Sequence, residues 1–180
     1  MANVDSYVSA ESGVSMSQAA PLRKILVAVG RQGKDDGGLR YAAKIAAETG
    51  ATVRVLHIRQ NELYRGMRFS PETPDEATNL VTGAVEQLRD AGITASGAVR
   101  VALLGREGVN IVDEAANWQA DAIVLGPGPV RSWRRLFARG VRGQVLRLSA
   151  IPVIVPPAPT AESAAGEVVE TRRGRERHAA

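Results

Sequence analysis

Residues 111–126 read IVDEAANWQADAIVLG, and within this stretch a helical pattern passes directly into a strand pattern. In its first part, apolar residues recur at the spacing of one helix face, at Ile111, Val112, Ala115 and Trp118. In its second part, residues 121–126 form a short, continuous apolar run, typical of a strand buried on both faces of a parallel sheet. A helix that leads at once into a buried strand indicates the α/β class of folds.

The same alternation extends in both directions along the chain. Further apolar runs predict strands at 25–30, 52–58, 98–103 and 151–155. Helical patterns separate them, and in the first of these one face carries Leu39, Ala42, Ala43 and Ala46. Because each crossover is long enough for parallel pairing, we predict an open α/β fold, with a five-stranded parallel sheet and helices on both faces.

The clearest local signal is a helix start at Thr73. Thr73 as N-cap, Pro74 at the first helical position and Glu76 at the third make a capping box. Before it, we predict that the second strand ends at Ile58. The polar stretch 59–70 is then predicted to be a functional or mobile loop.

Length and composition indicate one domain with two tails. The chain has 180 residues, of which 44% are hydrophobic. We expect residues 1–20 to be a disordered arm, residues 21–157 the folded unit and residues 158–180 a disordered tail, because the end segments have too little apolar content to offset their ordering. With neither a signal-peptide pattern nor a run of about 18 apolar residues, we expect a cytoplasmic protein.

Several kinds of reactive site are excluded or disfavoured. The chain has no cysteine, which excludes disulfides, thiolate metal sites and a cysteine nucleophile. The two histidines, His57 and His178, are far apart, so we expect no metal site. A lone histidine at a strand end is more often structural than catalytic, and we assign no catalytic residue. Residues 30–38 are not a P-loop, because Asp35 stands where Ser or Thr would bind magnesium.

One stretch concentrates positive charge. The formal net charge is +4, and six arginines without an intervening acid contribute +6, so the rest of the chain nets −2; the six are Arg131, Arg134, Arg135, Arg139, Arg142 and Arg147. The cluster fits a solvated surface, which is the usual role of a charge run. It also fits a site that holds phosphates by charge and paired hydrogen bonds.

The expected position of a ligand follows from the fold class. In open α/β sheets, ligands bind beyond the carboxyl ends of the strands, where the strand order reverses. This rule selects the loops that follow Gly30, Ile58, Leu104 and Gly126.

Four stretches in this order resemble the universal stress protein family over about residues 22–156: KILVAV (24–29), VLHI (55–58), IVDEAANWQADAIVLG (111–126) and VLRLSAIPVIV (145–155). The resemblance implies strand order 3-2-1-4-5. It also implies that many members bind ATP, with an Asp at the end of the first strand and a glycine pattern after the fourth. Small residues there let backbone N–H groups approach the phosphates.

This sequence departs from that ATP pattern at most positions. The strand-one Asp falls on Gly30, the first glycine is kept as Gly126, and the next positions hold Pro129, Arg139 and Gly140. Pro129 has no backbone donor. The ATP motif is therefore degenerate. The candidate nucleotide-binding residues are Ala28, Gly30, Ile58, Leu125, Gly126, Gly128, Arg139, Gly140 and Val141.

The resemblance also implies a homodimer paired through the last strand, at Ile151, Val153, Ile154 and Val155. The leading hypothesis is a stress-response regulatory or interaction protein without catalytic activity, which binds ATP weakly or not at all. The alternative is a protein that binds ATP or another phosphorylated ligand through the cluster Arg131–Arg147. A distant third is nucleic-acid binding by the same basic face.

Overall fold

The computed structural model describes residues 21–31, 37–65, 67–126 and 140–157. The arm and the tail expected at 1–20 and 158–180 lie outside these ranges. Within them the elements are, in chain order, β1 Lys24–Val29, α1 Gly37–Thr49, β2 Thr52–Tyr64, β3 Met67–Phe69, α2 Pro74–Asp90, β4 Ala95–Leu103, α3 Glu107–Trp118, β5 Ala122–Leu125, α4 Val141–Leu148 and β6 Val153–Ile154.

The parallel strands lie in the order β4-β2-β1-β5-β6. These are the five predicted strands in the order 3-2-1-4-5, so the predicted fold is confirmed. Successive strands are added on one side of β1 as far as β4 and on its other side from β5 onward, so the strand order reverses between β1 and β5. These two strands pair with Ala28 opposite Leu125. On the other side of β1, Val29 lies opposite His57. The carboxyl ends of these central strands therefore meet at one edge, the carboxyl edge.

Alternate residues of the strands fill two separate cores. Ile25, Val27 and Val29 of β1 pack with α1 and α2 on one face. Leu26, between them in sequence, packs with Ile111 of α3 and other apolar residues on the second face. Because both faces are buried, the strand sequences are continuous apolar runs rather than alternating ones.

Local signals fix the ends of two helices. At Thr73 both hydrogen bonds of the predicted capping box form, and Pro74 opens α2. At the end of α1, Gly50 has φ +72°, in the left-handed region that glycine adopts without a Cβ penalty.

The polar stretch 59–70 differs from its prediction as a loop. β2 does not end at Ile58 but continues to Tyr64, and residues 67–69 return beside it as the antiparallel strand β3. The extension forms because β4 is itself long and pairs with β2 as far as Asn61 opposite Leu103. The chain reverses near Arg65, which has φ 49°.

The last strand is shorter than the predicted 151–155. Only Val153 and Ile154 join the ladder with β5. Pro152 has no N–H to donate, although its carbonyl accepts a bond from the N–H of Ile123, at 2.9 Å. No helix in the described part of the chain combines the length and hydropathy needed to cross a membrane.

Candidate functional site

The carboxyl edge gathers most of the residues predicted to bind a nucleotide. Ala28 lies near the end of β1 and Gly30 follows that strand, while Leu125 ends β5 and Gly126 follows it. Ile58 lies on β2, one residue beyond the partner of Val29. The start of α4 adds Gly140 and Val141, and Val141 packs on the same core as Ala28 and Ile58. Gly128 and Arg139 lie outside the described residues.

Exposure at this edge is graded. Leu125 is buried, whereas Ala28, Ile58, Gly126, Gly140 and Val141 are half-buried and Gly30 is exposed. A Cβ placed on Gly30 would meet no described atom within 4 Å. Gly30 and Gly126, which directly follow β1 and β5, are thus at least partly exposed where the strand order reverses.

Arg142 is the described member of the arginine cluster that lies at this edge. Its Nη2 donates a hydrogen bond of 2.7 Å to the carbonyl of Gly126. The bond ties the first turn of α4 to the end of β5. Arg147 is exposed in the last turn of α4, and the other four arginines of the cluster lie outside the described residues.

The N-terminus of α4 carries no side-chain cap. Gly140 occupies the N-cap position, and the first turn contains no acidic residue. The first N–H groups of a helix point outward and carry partial positive charge, so this end favours an anion.

A glutamine holds α4 against the start of α3. The Gln144 side chain donates to the carbonyl of Gly105 (2.8 Å) and accepts from the N–H of Gly108 (3.2 Å). A Cβ on Gly108 would overlap the Gln144 side chain, so the glycine permits this close approach. Two helix starts are thereby joined at the carboxyl edge.

Glu107, at the start of α3, is a buried carboxylate. It accepts hydrogen bonds from the Gln60 side-chain amide (2.9 Å) and the Gly105 N–H (3.1 Å). An acid in the first turn of a helix interacts favourably with the helix dipole. The carboxylate therefore links β2 to the turn before α3.

The most buried polar pair at the edge is His57 with Glu72. Their Nε2 and Oε2 atoms are 2.8 Å apart, and the histidine Nδ1 is 3.0 Å from the carbonyl of Val29. Both side chains are buried. Since a carbonyl can only accept, Nδ1 is the donor to Val29. The pair joins β1, β2 and the segment before α2.

Hydrogen bonds from side chains to backbone carbonyls fix the segment between β3 and α2. Arg59 Nε donates to the carbonyl of Glu72 (2.8 Å), and the hydroxyl of Ser70 lies 2.9 Å from the same oxygen. Arg31 Nη2 donates to the carbonyl of Pro71 (3.3 Å). The residues after β3 are held in place up to the cap of α2.

At the cap, Glu76 has its pKa lowered from 4.5. The largest cause is the hydrogen bond from the backbone N–H of Thr73, and the Thr73 hydroxyl adds to it. Both donors stabilise the carboxylate form.

Sequence reasoning placed the edge but missed its polar bonds. His57 has the structural surroundings expected of it, yet its partner Glu72 was not predicted, because fifteen residues and an unpredicted hairpin separate them. Glu107 and Gln144 were missed as well. The sequence marks Glu72 only as an acid directly before the capping box, and its burial is seen only in the structure. In the described ranges, His, Asp and Glu do not form groups of three that could hold a metal.

Comparisons with known proteins place these features in context. The sequence model described as the universal stress protein family matches residues 21–157. A search of curated protein sequences gave no match.

Solved structures of universal stress proteins are also similar to this chain. The universal stress protein from Archaeoglobus fulgidus is 30% identical, with 74% of this chain and 92% of that one covered and a TM-score of 0.57. A structure of the A. fulgidus universal stress protein in complex with dAMP is 29% identical, covers 75% and 98%, and has a TM-score of 0.55. A universal stress protein family protein from Arabidopsis thaliana with AMP bound shares the fold at 14% identity, covering 78% and 94%, with a TM-score of 0.53.

Proposed function

Because the chain belongs to the universal stress protein family, we propose that it is a non-catalytic regulatory protein of the stress response. It acts as a cytoplasmic homodimer through protein partners, and it binds ATP weakly or not at all. Adenine nucleotide binding is the second candidate function.

One observation carries the weak-binding proposal. The family resemblance implies an Asp at the end of the first strand. This chain has Gly30 there, which has no side chain to contact a nucleotide. After the end of β5, Arg142 Nη2 is bonded to the Gly126 carbonyl at 2.7 Å, which uses one of the five N–H donors of its guanidinium. A ligand that needs the same N–H must compete with that bond.

Other observations favour the second candidate. The N-terminus of α4 has no acid in its first turn, and Arg142 adds a positive charge beside it. A relative of 29% identity has been solved with dAMP. An adenine nucleotide bound here would lie over Ala28 and Gly30, with its phosphate toward α4 and Arg142. Nucleic-acid binding is not proposed, because four of the six arginines that would form its basic face lie outside the described residues.

The homodimer proposal is supported by the edge at β6. Within the described residues β6 pairs with β5 alone, and Ile151, Val153, Ile154 and Val155 are half-buried. Leu146 and Leu148 of the adjoining α4 are exposed. Pairing with a second copy would cover the open side of β6 and its apolar neighbours.

The deciding experiment is calorimetric titration with Mg-ATP and with AMP at physiological salt. We expect no binding tighter than about 100 μM, roughly −5.5 kcal/mol. The same sample in sedimentation velocity should have twice the mass of one chain. A single-chain mass at micromolar concentration would contradict the homodimer.

Variants of α4 separate the two candidates. If a nucleotide binds below about 100 μM, the weak-binding proposal fails. Arg142→Ala should then lose affinity about tenfold or more, since a charged hydrogen bond contributes about 1.5–3 kcal/mol. Arg147→Ala, on the same helix at its far end, is the matched control and should bind as the native chain does. Equal binding by both variants would refute the role of Arg142.

A further inference from the structure

The edge opposite β6 is formed by β4. Among the described residues β4 pairs with no strand other than β2. On its other side the carbonyls of Ala95, Val99 and Leu103 accept bonds from Arg89, Arg100 and Arg106, and each of these oxygens can accept a second bond. Natural edge strands are commonly guarded by Lys, Pro or a bulge. The sequence of β4, ASGAVRVAL, contains no Pro and no Lys and has Arg100 as its single charge. This edge is a suitable template for one more strand.

The direction of its backbone groups follows from two bonds. The N–H of Leu104 donates to the carbonyl of Asn61, and the carbonyl of Thr94 accepts from Val53. The backbone N–H and C=O groups of the even-numbered residues of β4 therefore point toward β2, because alternate residues of a parallel strand bond to the same neighbouring strand. The N–H groups of the odd-numbered residues point away from β2, in the plane of the sheet, and have no partner in the described ranges. These residues are Gly97, Val99, Val101 and Leu103.

The end of β4 is also apolar and exposed. Val101 and Leu103 are 51% and 43% exposed, and Leu104 in the following turn is 59% exposed. Leu63 of β2 lies on the same sheet face, two residues after the partner of Leu103, and is 61% exposed. Adjacent exposed apolar side chains of this kind mark surfaces that another segment covers.

The two faces of this strand differ in charge. Val101 and Leu103 share the face of α2, as Gly97 does, whose Cβ position lies against Val81 and Val85. Arg100 points to the other face, where it binds Glu114 at 2.7 Å and its side chain is still 49% exposed. A complementary strand needs apolar residues on one side and acidic or polar residues on the other.

We propose that residues 4–10 of this same chain, which by composition alone are expected to be disordered, add to β4 as an antiparallel strand. Their sequence, VDSYVSA, alternates: Val4 and Val8 fall on one side, and Asp5 and Tyr7 on the other. The first twenty residues contain two acids and no Lys or Arg. With residues 4–10 running antiparallel to residues 103–97, Val4 lies opposite Leu103 and Val8 opposite Val99, on either side of Val101, while Asp5 lies on the face of Arg100.

The length of the chain permits this path. Lys24 lies opposite Thr52, and Val53 lies opposite Ala95, so the start of β1 is two strand spacings, about 10 Å, from the start of β4. Residues 11–20 can span up to about 33 Å. A strand that must return to Pro21 at the amino end of the sheet runs antiparallel to β4, and seven residues match the open stretch 97–103.

Amide hydrogen exchange by NMR tests the proposal residue by residue. In the full chain, the odd-numbered amides from Gly97 to Leu103 should be protected. Deleting residues 1–20 should accelerate their exchange about tenfold or more. The even-numbered amides Ala98, Arg100 and Ala102, bonded to β2, are the internal control and should keep their protection.

Substitutions sharpen the assignment to residues 4–10. The double variant Val4→Asp/Val8→Asp should reproduce the effect of the deletion, while Val14→Asp, outside the alternating stretch, should not. Odd-numbered amides that exchange equally in the full and the shortened chain overturn the proposal, whether they are fast or slow in both. Protection that persists after deletion but falls on dilution identifies a second copy as the occupant and also overturns it.

Discussion

The carboxyl edge has two halves that are built differently. The closed half, over β2 and the start of α2, is held by side-chain bonds of His57, Arg59, Ser70 and Glu72. The open half, where β1 and β5 meet α4, is lined by Gly30, Gly126, Gly140 and Val141, which are exposed or half-buried. In the closed half, polar side chains hold the backbone in place by hydrogen bonds. In the open half, residues at the strand ends and at the start of α4 are at least partly exposed. Stability and ligand binding are therefore expected to respond to different residues.

The largest effect is expected in the closed half, from Glu72→Ala. The change leaves the buried Nε2 of His57 without its partner, and breaking such a pair costs about 2–5 kcal/mol of unfolding free energy. Urea denaturation measures it, with the exposed Glu62→Ala as a control that should stay within about 0.5 kcal/mol. Replacing both partners, as His57→Phe/Glu72→Leu, should recover part of the loss. A native-like midpoint for Glu72→Ala would show that the closed half does not depend on this pair.

The two halves also differ in how much of them the sequence predicts. Glycines and strand ends of the open half were predicted, because continuous apolar runs fix the strands and the strand ends fix the edge. The capping box at Thr73 was equally predictable, since its signal is local. His57–Glu72 and Gln60–Glu107 were not, because each joins residues brought together by pairings distant in sequence. The β2–β3 hairpin was missed for the same reason: β2 is extended by its pairing with the distant β4, and residues 59–70 follow no apolar period.

A smaller effect is expected at the border of the closed half, from Thr73→Ala. Loss of the N-cap hydroxyl should cost about 1 kcal/mol in the same denaturation experiment. Thr78→Ala is the matched control, because that hydroxyl bonds only to the Pro74 carbonyl within the helix. A cost equal to that of Thr78→Ala would refute the capping role.

The same cap gives a pH dependence with a defined sign. The pKa of Glu76 is lowered from 4.5 in the folded protein, so its contribution is complete above that value and is lost as the pH falls through the lower folded pKa. The stability difference between the native chain and Glu76→Gln should therefore be largest near neutral pH and shrink in acid. A difference that grows in acid would contradict the charged capping box.

The smallest effect is expected in the open half, from Gly30→Ala. A Cβ there meets no described atom within 4 Å, and the residue is exposed, so the unfolding free energy should change by no more than about 0.5 kcal/mol. Gly97→Ala is the contrasting control: its Cβ would overlap Cγ1 of Val81 under α2, and overpacking of this kind costs about 1–3 kcal/mol. If Gly30→Ala destabilises as much as Gly97→Ala, the position at the end of β1 is packed rather than accessible. The open half would then lose its distinction from the closed one, and with it the place where a ligand could approach the backbone.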